Sequence, residues 1–146
     1  MSQSTISRLL MVAGLIPFLF GTIAVVIDLE GWGPIDSLPL ALALYALAIA
    51  SFMCGIHWGI AQTRSDQSKL LVHSNVMVVL LWVLLIVFGD STLFYAVLVL
   101  VFLKQYLVDR QLVAEGVLNE KYLSDRLVVT CCVCILMSIV AVHKLI

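Results

Sequence analysis

The segment SLPLALALYALAIASFMCGIHWGIA, Ser37 to Ala61, contains no Asp, Glu, Lys or Arg. An α-helix crosses bilayer hydrocarbon in about 20 residues, so this run is long enough to span a membrane. Working outward from it, four other apolar runs lie approximately at Ile6–Ile27, Leu70–Phe88, Thr92–Asp109 and Tyr122–Val142. In lipid an open strand would leave backbone N–H and C=O groups unpaired, so each span is expected to be helical. The whole chain agrees: of its 146 residues 63% are hydrophobic and 12% charged, and the mean hydropathy is +1.16. A soluble domain of this size is about half apolar and about a quarter charged. The expected fold is therefore all-α, a polytopic membrane helix bundle of about five transmembrane helices. Residues 1–146 are expected to form a single integral-membrane domain.

The connectors suit that division: DLEGWGPID at 28–36, QTRSDQSK at 62–69, GDS at 89–91, and Arg110–Lys121. The first span outruns a signal-peptide core and lacks a clear A-x-A site, so it reads as an uncleaved helix. Within it, Pro17 removes a hydrogen bond to Ala13 and, with Gly14, is expected to kink the helix. A net charge of −1 gives no basic footprint for nucleic acid.

Charge placement orients the bundle. Arg8, Arg64, Lys69, Lys104, Arg110, Lys121 and Arg126 fall on one side of the spans. Asp28, Glu30, Asp36 and Asp90 fall on the other, with Lys144 the one base there. The positive-inside rule puts the N-terminus in the cytoplasm and the C-terminus outside. The lack of an Arg- and Ser-rich presequence favours a bacterial inner membrane.

The pattern Tyr-Leu-x-Asp-Arg occurs twice, at Tyr106–Arg110 and Tyr122–Arg126. The fourth span runs toward the cytoplasm and the fifth away from it. Asp109 is thus the deeper member of the first doublet and Arg126 of the second. At about 100° per residue Gln105 and Asp109 share a face, as do Tyr122, Arg126, Thr130, Cys134 and Ser138. An Asp109–Arg126 pair across antiparallel helices is expected, leaving Arg110 and Asp125 toward water. A charge at mid-bilayer costs about 2.5–3.5 kcal/mol on insertion scales, and pairing is the usual remedy. The plainer alternative is that all four are interfacial anchoring charges.

Three faces of the second span carry different residues. Ala48, Ser51, Gly55 and Gly59 form a small-residue face with a literal GxxxG, the pattern that lets another helix approach closely. Ala43, Ala46, Ala50, Cys54, His57 and Ala61 form a second small arc. Tyr45, Ile49, Phe52, Met53, Ile56 and Ile60 form a bulky face, expected to meet lipid. His57 then points into the bundle. At similar depth lie Trp58 of the same helix, Ser74 and Asn75 of the third, and Gln105, Asp109, Tyr122, Arg126 and Thr130. An intramembrane polar cluster of this kind is a candidate binding site; the bland account is a hydrogen-bonded layer that fixes helix register.

No catalytic activity is spelled out. His57 and His73 would suit axial haem ligation, but no second pair or cytochrome spacing accompanies them. Cys54, Cys131, Cys132 and Cys134 do not make a metal site, because adjacent cysteines on a helix diverge by about 100°. No Ser-His-Asp order, HExxH or phosphate-binding glycine loop is present. Neither a metal nor a cofactor is expected.

AGLIPF in the first span, YALAIASFMCGIHWG in the second, HSNVMVVLLW in the third and the Asp109…Tyr122–Arg126–Thr130 spacing together resemble a known family. It comprises small multi-spanning bacterial membrane proteins of unknown function related to the mitochondrial "transmembrane protein 69". The most specific element is G-x-H-W-G, here Gly55, His57, Trp58 and Gly59. The chain carries Asp125 where that family usually has leucine, and Met77 where it usually has proline. The resemblance implies a five-helix inner-membrane protein and supplies no activity. Two functions are carried forward. The favoured one is a non-catalytic accessory or assembly module, its partners being membrane lipids and a membrane protein or second copy. The other is a lipid-, quinone- or cofactor-handling protein with a polar site at the cytoplasmic leaflet.

Overall fold

The computed structural model describes residues 3–29, 31–32, 34–64 and 68–146, which are helical apart from turns and one bridge between Trp32 and Ile35. Glu30 among the acids of the far side, Gly33 of the first connector and 65–67 of the second lie outside the described residues. Six helices follow in order: α1 (Gln3–Ala13), α2 (Leu15–Val26), α3 (Leu38–Gln62), α4 (Ser68–Phe88), α5 (Thr92–Ala114) and α6 (Glu120–His143). Helices α1 and α2 make one span, Thr5–Val26, and with α3 to α6 give five helices long and apolar enough to cross a membrane.

Local chemistry explains the helix ends. The first span breaks at Gly14, one residue past the Ala13 carbonyl that Pro17 cannot serve. The Tyr45 hydroxyl donates to the Gly14 carbonyl at 2.9 Å, tying the break to α3. Ser37 caps α3 by accepting from the Leu40 N–H at 3.3 Å, and Ser91 caps α5 from Phe94 at 3.4 Å. The connector expected at Arg110–Lys121 is much shorter, because both flanking helices run on. Gly116 sits at φ +71 and the Val117 N–H reaches the Leu112 carbonyl at 2.8 Å, a Schellman stop for α5. Asn119 then caps α6, accepting from the Tyr122 N–H at 2.7 Å. Asp109 and Arg126 thereby lie more than a turn inside their helices.

Helix α3 is central, packing against α2, α4 and α5, while α5 and α6 share the most extensive interface. Between helices in lipid the attraction is mainly close van der Waals packing. Ala43, Ala46 and Ala50, each 0% exposed, let α3 sit deep among its neighbours. Gly21 of α2 serves the same end, since a Cβ there would lie 2.8 Å from a methyl of Leu42. Phe18 locks the α2–α3–α5 corner, edge-on to Tyr45 at 5.1 Å and to Phe102 at 6.0 Å between ring centroids.

The face expected to receive another helix is different. A Cβ added at Gly55 or Gly59 would meet no atom within 4 Å, and Ala48 is exposed and Ser51 half-buried. Among the described residues no helix of this chain covers that face. The bulky face expected to meet lipid instead turns partly inward: Met53 is buried and Tyr45, Ile49 and Ile56 are half-buried. The GxxxG pattern says that a backbone can approach, not that one does. The alanine arc, which permits the same approach, took the intramolecular partners.

Candidate functional site

The polar interior starts from α5, where one helical turn places Gln105 and Asp109 on the same buried face. Gln105 is 1% exposed and donates through Nε2 to the Ala50 carbonyl at 2.7 Å, with Cys54 Sγ at 3.4 Å. Asp109 is 0% exposed and has a different partner on each oxygen. Oδ1 lies 2.8 Å from His57 Nε2 on α3, and Oδ2 accepts from Arg126 Nε on α6 at 3.0 Å. Three helices thus meet at one carboxylate. The expected Asp109–Arg126 pair is present, and His57 joins it. With Asp109 ionised against Arg126, a carboxylate only accepts, so His57 carries a proton on Nε2.

The remaining candidates divide. Thr130 is buried one turn above Arg126, and Tyr122 is half-buried one turn below it. Ser74 is buried but donates to the Leu71 carbonyl of its own helix at 3.0 Å. Asn75 is exposed and makes the same kind of bond to Leu71 at 2.9 Å, and Trp58 is also exposed. These three therefore stand apart from the triad. His73 lines a separate groove with Lys69 and Lys104 between α4 and α5. Arg110 is exposed as expected, but Asp125 is not left to water: Arg8 of α1 pairs with it at 3.3 Å. That bond joins residues far apart in sequence and depends on α1 lying over α6.

Among the described residues, five buried side-chain polar atoms have no hydrogen-bond partner in the protein: Thr22 Oγ1, His57 Nδ1, Gln105 Oε1, Arg126 Nη2 and Thr130 Oγ1. All but Thr22 belong to this cluster. An unsatisfied buried group costs about 1–3 kcal/mol, so four of them together mark this cluster as a candidate binding site.

Beside the cluster is a cleft of about 430 Å³, walled by α1, α2, α3 and α6 and floored by Phe102 of α5. Its lining is overwhelmingly apolar, with Leu10, Phe18, Ile49, Phe52 and Val129, and it takes in Tyr122, Arg126 and Thr130 at one side. α1 makes no close backbone contact with α3 among the described residues, so the cleft opens sideways between them. Phe52 and Leu10 at that opening are 65% and 68% exposed. Periodicity did not reveal this feature, because a gap between helices leaves no repeat in the chain. The inward-turned bulky face of α3 is its one sequence trace.

Helices of this length and apolarity, closed around a buried ionic triad, define an all-helical protein of the multi-pass membrane class. Within that class the chain belongs to the family described as "Protein of unknown function (DUF3429)", whose model matches residues 4–142. No curated protein and no solved structure matches it significantly.

Proposed function

We propose that this protein binds a membrane-resident amphiphile, taken from the bilayer through the gap between α1 and α3. The polar end would sit at Arg126 and Thr130 and the apolar body along Phe18, Ile49 and Val129. The observation that carries this reading is the pair of unsatisfied buried groups, Arg126 Nη2 and Thr130 Oγ1, on residues that line an apolar cleft. Small-molecule sites are typically about 300–1,000 Å³, mostly apolar, with a few convergent polar groups. The protein purified in mild detergent is expected to carry a small molecule detectable by native mass spectrometry. Val129→Phe, which fills the cleft, is expected to release it without unfolding the bundle. A wild-type protein that is empty and gains no thermal stability from a total membrane lipid extract would count decisively against the proposal. Saturating ligand at about 100 times its Kd would add about 2.7 kcal/mol of stability.

A second reading, the accessory module, is favoured by one observation: the open face of Ala48, Ser51, Gly55 and Gly59. Such a face suits the helix of a membrane-protein partner or of a second copy.

The lysine and arginine bias supports a bacterial inner-membrane protein with the cleft's polar end in the cytoplasmic leaflet. A reporter active only outside the cytoplasm is expected to work when fused after Ile146 and to fail when fused before Met1; the opposite pattern would invert the orientation. The G-x-H-W-G residues support kinship with transmembrane protein 69.

A further inference from the structure

We infer that the cleft takes an uncharged head group presenting a carbonyl oxygen, and not a carboxylate or phosphate. This rests on the amphiphile-binding reading above and specifies its chemistry. Among the described residues lining the cleft, Arg126 is the only charged one. Its charge is already matched by Asp109 at 3.0 Å, and the Arg8 and Asp125 charges near its basic end match each other at 3.3 Å. Arg126 and Asp109, the paired ions, cancel each other. An anionic head placed there would add a negative charge beside the buried Asp109 carboxylate, in a region of low dielectric where an unmatched charge is strongly disfavoured. The guanidinium therefore offers hydrogen bonds without offering spare charge.

The free groups specify the rest. Arg126 Nη2 is donor-only, and the Thr130 hydroxyl one turn along α6 can donate as well. Tyr122, one turn the other way, puts a third donor, its hydroxyl, on the same row of the lining. A row of donors calls for an acceptor. In a bilayer the ring carbonyls of quinones and the ester carbonyls of glycerides are uncharged acceptors carried on apolar bodies. Phe18, Phe52, Phe102 and Tyr122 all line the cleft and suit a planar ring, but ring and ester present the same oxygen to Arg126 and Thr130.

The test uses protein in dodecyl maltoside micelles, whose detergent carries no carbonyl. A short-chain ubiquinone, monooleoylglycerol and oleate are each titrated against wild type, Thr130→Val and Val129→Phe, with melting temperature and equilibrium binding as readouts. Ubiquinone, monooleoylglycerol or both are expected to bind and stabilise wild type, with oleate at least tenfold weaker. A preference between the two neutral probes identifies ring or ester, and either supports the inference. Thr130→Val should leave the melting temperature of ligand-free protein unchanged or raised, since it removes an unsatisfied buried hydroxyl. It should nevertheless weaken binding about fivefold to tenfold, the loss of one hydrogen bond. Oleate binding as tightly as the neutral probes would overturn the head-group inference while leaving cleft binding intact. Failure of all three probes, or undiminished binding to Val129→Phe, would overturn the cleft reading itself.

Discussion

Replacing Asp109 by alanine is expected to lower the melting temperature in detergent by roughly 10 °C, the largest effect of any single polar substitution in this protein. The carboxylate is 0% exposed and serves two helices at once, His57 at 2.8 Å and Arg126 at 3.0 Å. Removing it strands a guanidinium that is itself 5% exposed. Breaking a buried pair by deleting one member costs about 3–5 kcal/mol, because the surviving charge has lost both water and partner. The pair as a whole need not be stabilising, since desolvating two charges offsets much of their attraction. The double variant Asp109→Leu with Arg126→Met is therefore expected to recover most of the lost stability. It should still fail to bind any head group in the cleft. Thermal melts of the two variants, with binding measured beside them, separate the roles. If the double variant melts as low as the single one, the triad serves to hold the helices together and not to receive a ligand.

The triad was partly legible because its geometry follows from two periodicities. Antiparallel spans invert which member of an Asp-Arg doublet lies deeper, and i, i+4 rows decide which side chains face the bundle. Those two rules bring Asp109 to Arg126 without any knowledge of loops. His57 could be placed at the right depth and on the inner side, but nothing in the spacing said that Asp109 would accept from it. The break near Pro17 was legible for a covalent reason, the missing N–H. The loop after α5 is shorter than the charged stretch Arg110–Lys121 because capping sets the helix ends: Gly116 and Asn119 mark them, and Arg110 and Lys121 lie within the helices. The Arg8–Asp125 bond and the cleft depend on where α1 comes to rest, which no local pattern encodes. Gly21, the glycine that does allow close approach, stands alone in FLFGT with no motif to announce it.

The two small faces of α3 are expected to respond oppositely to added bulk. Ala50→Leu is expected to cost about 1–3 kcal/mol or more by overpacking, with a melting temperature several degrees lower. Ala50 is 0% exposed, and its carbonyl accepts from Gln105 at 2.7 Å, so a larger side chain there pushes α3 from α5. His57 lies two turns along the same face, and its bond to Asp109 would loosen with that displacement. Gly55→Leu points about 140° away around the axis at 3.6 residues per turn. Space there is open, and leucine is a better helix former than glycine by about 0.8 kcal/mol, so the isolated bundle should be unchanged or slightly more stable. Size-exclusion chromatography beside the melts then tests the second functional reading. A partner or second copy held through this face should dissociate in Gly55→Leu while the bundle stays folded. A folded bundle with no change in assembly leaves that face to lipid. Were Gly55→Leu instead to unfold the chain and Ala50→Leu to be tolerated, α3 would have to be rotated by well over a quarter turn. His57 would then point away from Asp109, and the triad beside the cleft would not form.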